Sequence, residues 1–314
     1  MKGPELAEQF FRECGLPMLE ENFPELLPYL AAGFTGSGSE HYGYDDEVSR
    51  DHDFEPGFCL FLPGEEVVSR RQAFLLERAY AGLPKEWNGL RRLTLSPVGG
   101  NRHGVFRTAD FYENAVGSPD GTLDTDQWLH IPDYALAEAV NGKLFADNYG
   151  AVTRIRERLR AMPEDVKRKR IAGNLLLMAQ GGQYNFTRCL RHGEPEAAQL
   201  ACHEYVWAGM KILFLLRGRY MPFYKWSFRA LREELGEAET AEDFSFLLRG
   251  DNREKAVQKA KAERIEKTAV YLVEQLKTGG MTDTDTSELE TQAYAVNQRI
   301  QDEAIRNRHI LTAV

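Results

Sequence analysis

The stretch that decides the fold is Gly33–Phe58, GFTGSGSEHYGYDDEVSRDHDFEPGF, which runs directly into the apolar CLFL of Cys59–Leu62. It joins a glycine-serine loop to a crowd of acids. Asp51 and Asp53 flank His52 at the mouth of an apolar strand, and strand side chains alternate faces, so the two carboxylates point the same way. Like charges held that close repel unless a cation sits between them. Mg2+, a hard ion held by one or two carboxylates together with substrate phosphates, meets that need. Upstream, Gly36-Ser37-Gly38-Ser39 follows the apolar AAGF. Glycine lets backbone N–H groups approach an anion, and the Ser39 hydroxyl adds a donor, so the loop suits a polyphosphate. Its spacing makes neither a P-loop nor a dinucleotide-binding fingerprint, both of which need later Gly or Lys residues.

Working outward, a chain of 314 residues exceeds one ordinary core and predicts two domains of roughly 130 to 180 residues each. Apolar residues make up 43% and charged residues 28%, the balance of a globular protein rather than a disordered one. A net charge of -9 argues against stable nucleic-acid binding, because phosphate affinity comes mostly from Lys and Arg. Cys14, Cys59, Cys189 and Cys202 are scattered and no leader peptide is evident, so reduced thiols in a cytoplasmic setting are the expectation. The most apolar run, Tyr205–Leu216, is about twelve residues and contains Lys211. A membrane span needs about twenty.

The pattern predicts an α+β protein: a small mixed β-sheet domain over residues 1–125, then an all-α helical bundle over 126–314. Strands are expected at Asp53–Leu62, Arg92–Val98 and His103–Thr108, with helical spacing between the first two over Gly64–Leu83. The Gly, Pro and Asp cluster at Gly117–Gln127 reads as a hinge. Helices are expected at 133–140, 149–161, 164–180, 195–216, 222–235, 241–248, 253–277 and 287–308, with Asn141-Gly142 and Gly181-Gly182 as stops.

Eleven residues separate Ser39 from Asp51, and an apolar strand follows Asp53. This arrangement resembles the DNA polymerase β-like nucleotidyltransferase superfamily, in which a Gly-Ser step precedes two alternating acids. GSGSEHYGYDDEVSRDHDFEPGF, IPDYALAEAVNGKLFADNYGAVTRIRERL, AQGGQYNFTRCLRHGE and FLLRGRYMPFYKWSFRAL further resemble the bacterial family labelled domain of unknown function 4037. That likeness runs from Pro4 to Leu235. The resemblance implies that Gly38 and Ser39 bind the triphosphate of an incoming nucleotide, ATP foremost, and that Asp51 and Asp53 hold two Mg2+ ions. One ion would activate an acceptor hydroxyl and the other would neutralise the departing pyrophosphate. It also implies a third carboxylate on a later strand. GVFRT carries Arg107 where that acid is expected; Asp110 and Glu113 follow, Asp110 being the candidate, although on spacing either could belong to the first turn of the next helix, where acids are favoured anyway.

Other residues offer contacts. Arg50 adjoins the acidic pair and can steer phosphate or simply neutralise it. Tyr184 and Arg188 share a helical face, beside Asn185, and could stack a base and bind a phosphate. A buried Tyr and a surface Arg would look the same. Lys225, between Tyr224 and Trp226, suits a phosphate better than a core. Asp45, Asp46 and Glu47 read as a solvated turn, and RIRERLRAMPEDVKRKR as a solvated helix face. Cys202 and His203 diverge on a helix, which argues against zinc. The leading expectation is a Mg2+-dependent nucleotidyltransferase acting on a small-molecule, protein or RNA acceptor. The rivals are a nucleotide-binding, regulatory or toxin-antitoxin module on the same fold, and a metal-dependent phosphohydrolase.

Overall fold

The computed structural model describes residues 1–46, 55–92 and 102–314. Asp51, Asp53 and Arg50 therefore lie outside the described residues, as do Glu47 and most of the strand expected at 92–98. Contacts divide the chain into two compact units: Met1–Thr122 with Ala135–Ala161, and Leu123–Tyr134 with Met162–Val314.

The first unit is built on strands β1 (Ala31–Phe34), β2 (Cys59–Leu62), β3 (Gly104–Arg107) and β4 (Lys143–Asp147) in the order β3-β2-β1-β4. β1 runs antiparallel to β2 and β4, whereas β2 and β3 are parallel, so the sheet is mixed. Helix α1 (Gly3–Phe10) opens the chain with Pro4 in its first turn, where the missing N–H has no intrahelical partner to lose. Helix α2 (Arg70–Ala81) starts at Ser69, whose hydroxyl accepts from the Gln72 N–H in a reciprocal capping box. These helices cover one face of the sheet. Phe10, Phe11, Leu76 and Tyr80 pack with Phe58, Leu60 and Leu62 in one core, while Phe61 turns to the other face against Phe106 and Phe111. β2 is thus apolar on both faces, which accounts for its uninterrupted FCLFL.

The expected single boundary near residue 125 is corrected to an interleaved one. β4 lies beyond the hinge yet pairs with β1, so the chain returns to the first unit at helix α4 (Asp133–Val140), after α3 (Thr108–Val116), and leaves it after α5 (Ala151–Arg160). Five residues between two helices carry too little alternation to be read as a strand.

The second unit is helical. It comprises α6 (Glu164–Met178), α7 (Pro195–Leu216), α8 (Tyr224–Glu233), α9 (Ala238–Arg249), α10 (Lys255–Thr278) and α11 (Leu289–Gln298), with shorter helical turns between them. The helix stop expected at Gly181-Gly182 is absent: α6 continues into π-helical turns over Ala179–Phe186. The glycines serve packing. A Cβ on Gly181 would stand 2.8 Å from the Ala201 carbonyl oxygen, and one on Gly182 2.2 Å from the Tyr205 ring. The charged stretch after Val152 is not a plain solvated face either, because Arg156, Lys169 and Arg170 are buried. Lys169 Nζ donates to Asn297 Oδ1 at 2.9 Å and to the carbonyls of Arg306 and Arg308 at 3.2 and 2.6 Å, whereas the Arg156 Nε is buried without a partner. No helix among the described residues is long and apolar enough to cross a membrane.

Candidate functional site

In the first unit β1 ends at Phe34, beside the start of β2, because Gly33 pairs with Cys59. The glycine loop therefore leaves the sheet at the end where β2 begins, the strand that the acidic segment precedes in the sequence. Gly36 and Gly38 hold φ of 129° and 122°, a region closed to ordinary side chains, so the loop's course depends on glycine there. Ser39 opens a short 3-10 turn, Ser39–Tyr42, and is buried.

Asn141 clamps the loop. Its Oδ1 accepts from Thr35 Oγ1 and from the Gly36 N–H, both at 3.0 Å, and its Nδ2 donates to the Gly36 carbonyl at 2.8 Å. Asn141 is itself held by Arg156, whose Nη2 donates to its carbonyl at 2.7 Å. The Asn141-Gly142 pair that reads as a helix stop thus also fixes the loop: a Cβ on Gly142 would fall 1.9 Å from the Phe34 carbonyl oxygen. Nothing in the sequence signals that second task.

A carboxylate already stands over the loop. Glu40 folds back so that a Cβ on Gly38 would meet its Oε1 at 2.3 Å, and its Oε1 accepts from Arg102 Nη1 at 3.3 Å. Burial alone would raise this carboxyl, but His41 at 3.3 Å and Arg102 outweigh it and hold Glu40 below its ordinary value. Glu55, two residues after Asp53, pairs at 3.1 Å with His103 beside the start of β3. Glu138, whose carbonyl accepts from Thr35 Oγ1 at 3.3 Å, has its carboxyl raised by burial. Asp45 is structural: its Oδ1 accepts from the Gly3 N–H at 3.0 Å at the start of α1.

Asp110 stands away from the loop, while Asp51 and Asp53, beside which it is expected as third ligand, lie outside the described residues. β3 runs parallel to β2 with Cys59 opposite Gly104 and Leu62 opposite Arg107. Asp110 follows Arg107 into α3, exposed, at the Leu62 end. The glycine loop is at the Cys59 end, about 10 Å away along three strand steps. Among the described residues no group of three His, Cys, Asp or Glu side chains is placed to hold a metal.

In the second unit the structure does unite Tyr184 and Arg188. Both are exposed, Arg188 Nη1 donates to the Tyr184 hydroxyl at 2.9 Å, and the guanidinium lies 5.5 Å from the ring centroid. Asn185 is half-buried between them, on the π-helical stretch, and Lys225 is exposed in the first turn of α8. The aromatics beside Lys225 are used otherwise. Phe223 and Tyr224 line a cavity of about 330 Å3 with Ile131, Asp133, Arg170, Trp207, Lys211 and Met221 among its walls. Arg170 is buried there, donating to the Trp128 and Ile131 carbonyls at 3.4 and 3.1 Å and lying 3.1 Å from Asp133 Oδ1. Sequence reading passed over this cavity, although Lys211 inside the most apolar run was its visible sign.

The model of a family described as a domain of unknown function, DUF4037, matches residues 128–227. That segment holds Tyr184, Asn185, Arg188, Lys225 and nearly all of the cavity lining, but not the glycine loop. A crystal structure of a nucleotidyltransferase-like protein from Exiguobacterium sibiricum 255-15 aligns with 90% of this chain and 88% of its own, at 12% identity and a TM-score of 0.37. No curated protein matches the chain.

Proposed function

We propose that the protein is a nucleotidyltransferase of the DNA polymerase β-like superfamily, moving a nucleoside monophosphate from an NTP, with ATP foremost, to a hydroxyl of an acceptor. The observation that supports this reading is the positive-φ glycine loop, which follows β1 beside the start of β2, the strand that the Asp51–Asp53 segment precedes in the sequence. An acceptor oxygen would bond to the α-phosphorus while the bond from it to the β-phosphate oxygen breaks, releasing pyrophosphate. Gly38 and Ser39 would hold phosphate oxygens through backbone N–H groups, and Asn141 would keep the loop in that shape. Mg2+, held by Asp51 and Asp53, would supply charge neutralisation. Arg50, Tyr184, Asn185, Arg188 and Lys225 are proposed contacts to the nucleotide.

The test is incubation of the full chain with Mg2+ and NTPs labelled at the α-phosphate, over small-molecule, protein and RNA acceptors. Release of pyrophosphate with label on an acceptor is expected. Asp53→Asn should lose at least a hundredfold in rate with Tm unchanged, and Asp110→Asn should retain wild-type rate because it stands at the other strand end. A protein that binds no NTP in Mg2+, and whose Asp53→Asn form behaves as wild type, would sink the reading.

Glu40 favours a second reading, a binding module without transfer. Its carboxylate occupies the space over Gly38 and is held by Arg102 and His41, so a phosphate must displace it. NTP binding with no product on any acceptor would select this alternative.

A further inference from the structure

Three lysines are drawn into the helical unit, and only two of them are satisfied. Lys169 has three oxygen acceptors, and Lys261 Nζ donates to Gln199 Oε1 at 2.7 Å and Asn252 Oδ1 at 2.6 Å. Lys211 has no hydrogen bond or ion pair among the described residues, yet it lines the cavity bounded by α7 and the segment entering α8. Burial pushes its ammonium down from the ordinary lysine value; the charge of Asp133 works the other way, and that of Arg170 adds to the depression. Lys211 is half-buried, and a partly desolvated ammonium without a partner is a cost that an acidic group in the cavity can offset.

Around Lys211 the walls are aromatic. Trp207 lies one turn earlier on the same face of α7, and Phe223 and Tyr224 stand together with ring centroids 4.4 Å apart. Of the charged side chains lining the space beside His130, Asp133 lies 3.1 Å from Arg170, and Lys211 is the one without an ion pair. A volume of about 330 Å3 sits at the small end of the roughly 300–1,000 Å3 of small-molecule sites.

We propose that this cavity binds a compact anion with a flat apolar body, a carboxylate or phosphate monoester on an aromatic ring, with its acidic group on Lys211 and its ring against Trp207, Phe223 and Tyr224. An acidic oxygen supplies the acceptor that the fold withholds from Lys211. The ring fills an apolar space that water would occupy poorly. Arg170 sets the depth of the site without giving up its own carbonyl partners. The site belongs to the helical unit alone and does not depend on nucleotidyl transfer.

Phenylacetate and phenyl phosphate are the probes, with benzyl alcohol as the uncharged control, titrated against the full chain and followed by tryptophan fluorescence and by Tm. Both acids are expected to bind at least tenfold more tightly than the alcohol and to compete with each other; which acid binds better tells a carboxylate ligand from a phosphate one. Lys211→Met keeps the stem and removes the charge, so it should bind the alcohol unchanged and the acids at least tenfold more weakly. Its Tm without ligand should equal or exceed that of wild type. No acid binding at millimolar concentration would overturn the proposal, and so would unchanged acid binding in Lys211→Met. A Tm that falls on that substitution would mark Lys211 as a structural cation and overturn it equally.

Discussion

The loop of the sheet unit and the cavity of the helical unit manage buried polarity in opposite ways. At the loop the groups that shape it are engaged, Asn141 at both ends and Glu40 with Arg102 and His41, although the His41 Nε2 is buried without a hydrogen bond. At the cavity Lys211 is left without an acceptor. The first is a preorganised backbone that waits for a ligand at its surface; the second stores a charge that a ligand would complete. Preorganisation costs little in the free protein, whereas an unmet buried charge is a standing cost that a ligand can remove.

The contrast can be broken by substitution. The largest effect is expected at Lys169, the satisfied counterpart of Lys211: Lys169→Met takes the donor from Asn297 Oδ1 and from the Arg306 and Arg308 carbonyls, the first of which carbonyls keeps Asn297 Nδ2 at 3.3 Å, and should cost about 3 kcal/mol in unfolding by denaturant. A loss as small as that of a surface lysine would erase the distinction between the two. Asn141→Ala comes next, at about 2 kcal/mol, since it leaves the Gly36 backbone groups without their partner. In the same variant, ATP affinity measured by calorimetry should fall about tenfold if the loop is the phosphate site.

The smallest effect concerns pH and sharpens the comparison. Burial sets the folded value of Lys211 below its unfolded value of 10.5. Between those two values the unfolded chain binds more protons, so stability rises with pH across that window, and the penalty is complete below it. Lys211→Met should therefore exceed wild type in stability near neutral pH, with the gap closing as pH approaches 10.5. A gap that widens with pH would reverse the assignment.

Much of the helical unit was legible because its periodicity is long. The span 195–216 emerges there with the boundaries its pattern predicts, as 133–140 does in the sheet unit. β4 was not legible, for KLFAD is too short and owes its state to the free edge of β1. Gly181 and Gly182 misled for a related reason: the sequence shows permissive residues, and only the approach of α7 shows that they are there for room. Register hid the place of Asp110, since spacing puts an acid after a strand but does not say at which edge that strand ends.

By itself the sequence determined the α+β class and the joint face of Tyr184 and Arg188, because each depends on near neighbours and on strand or helix period. Only the tertiary structure decided which end of the sheet Asp110 occupies, that Asn141 and Glu40 guard the glycine loop, and that Lys211 alone among three inward-drawn lysines lacks an acceptor. Those outcomes depend on partners up to about a hundred residues away, as Thr35 and Asn141 are. No local pattern encodes whether such a partner arrives.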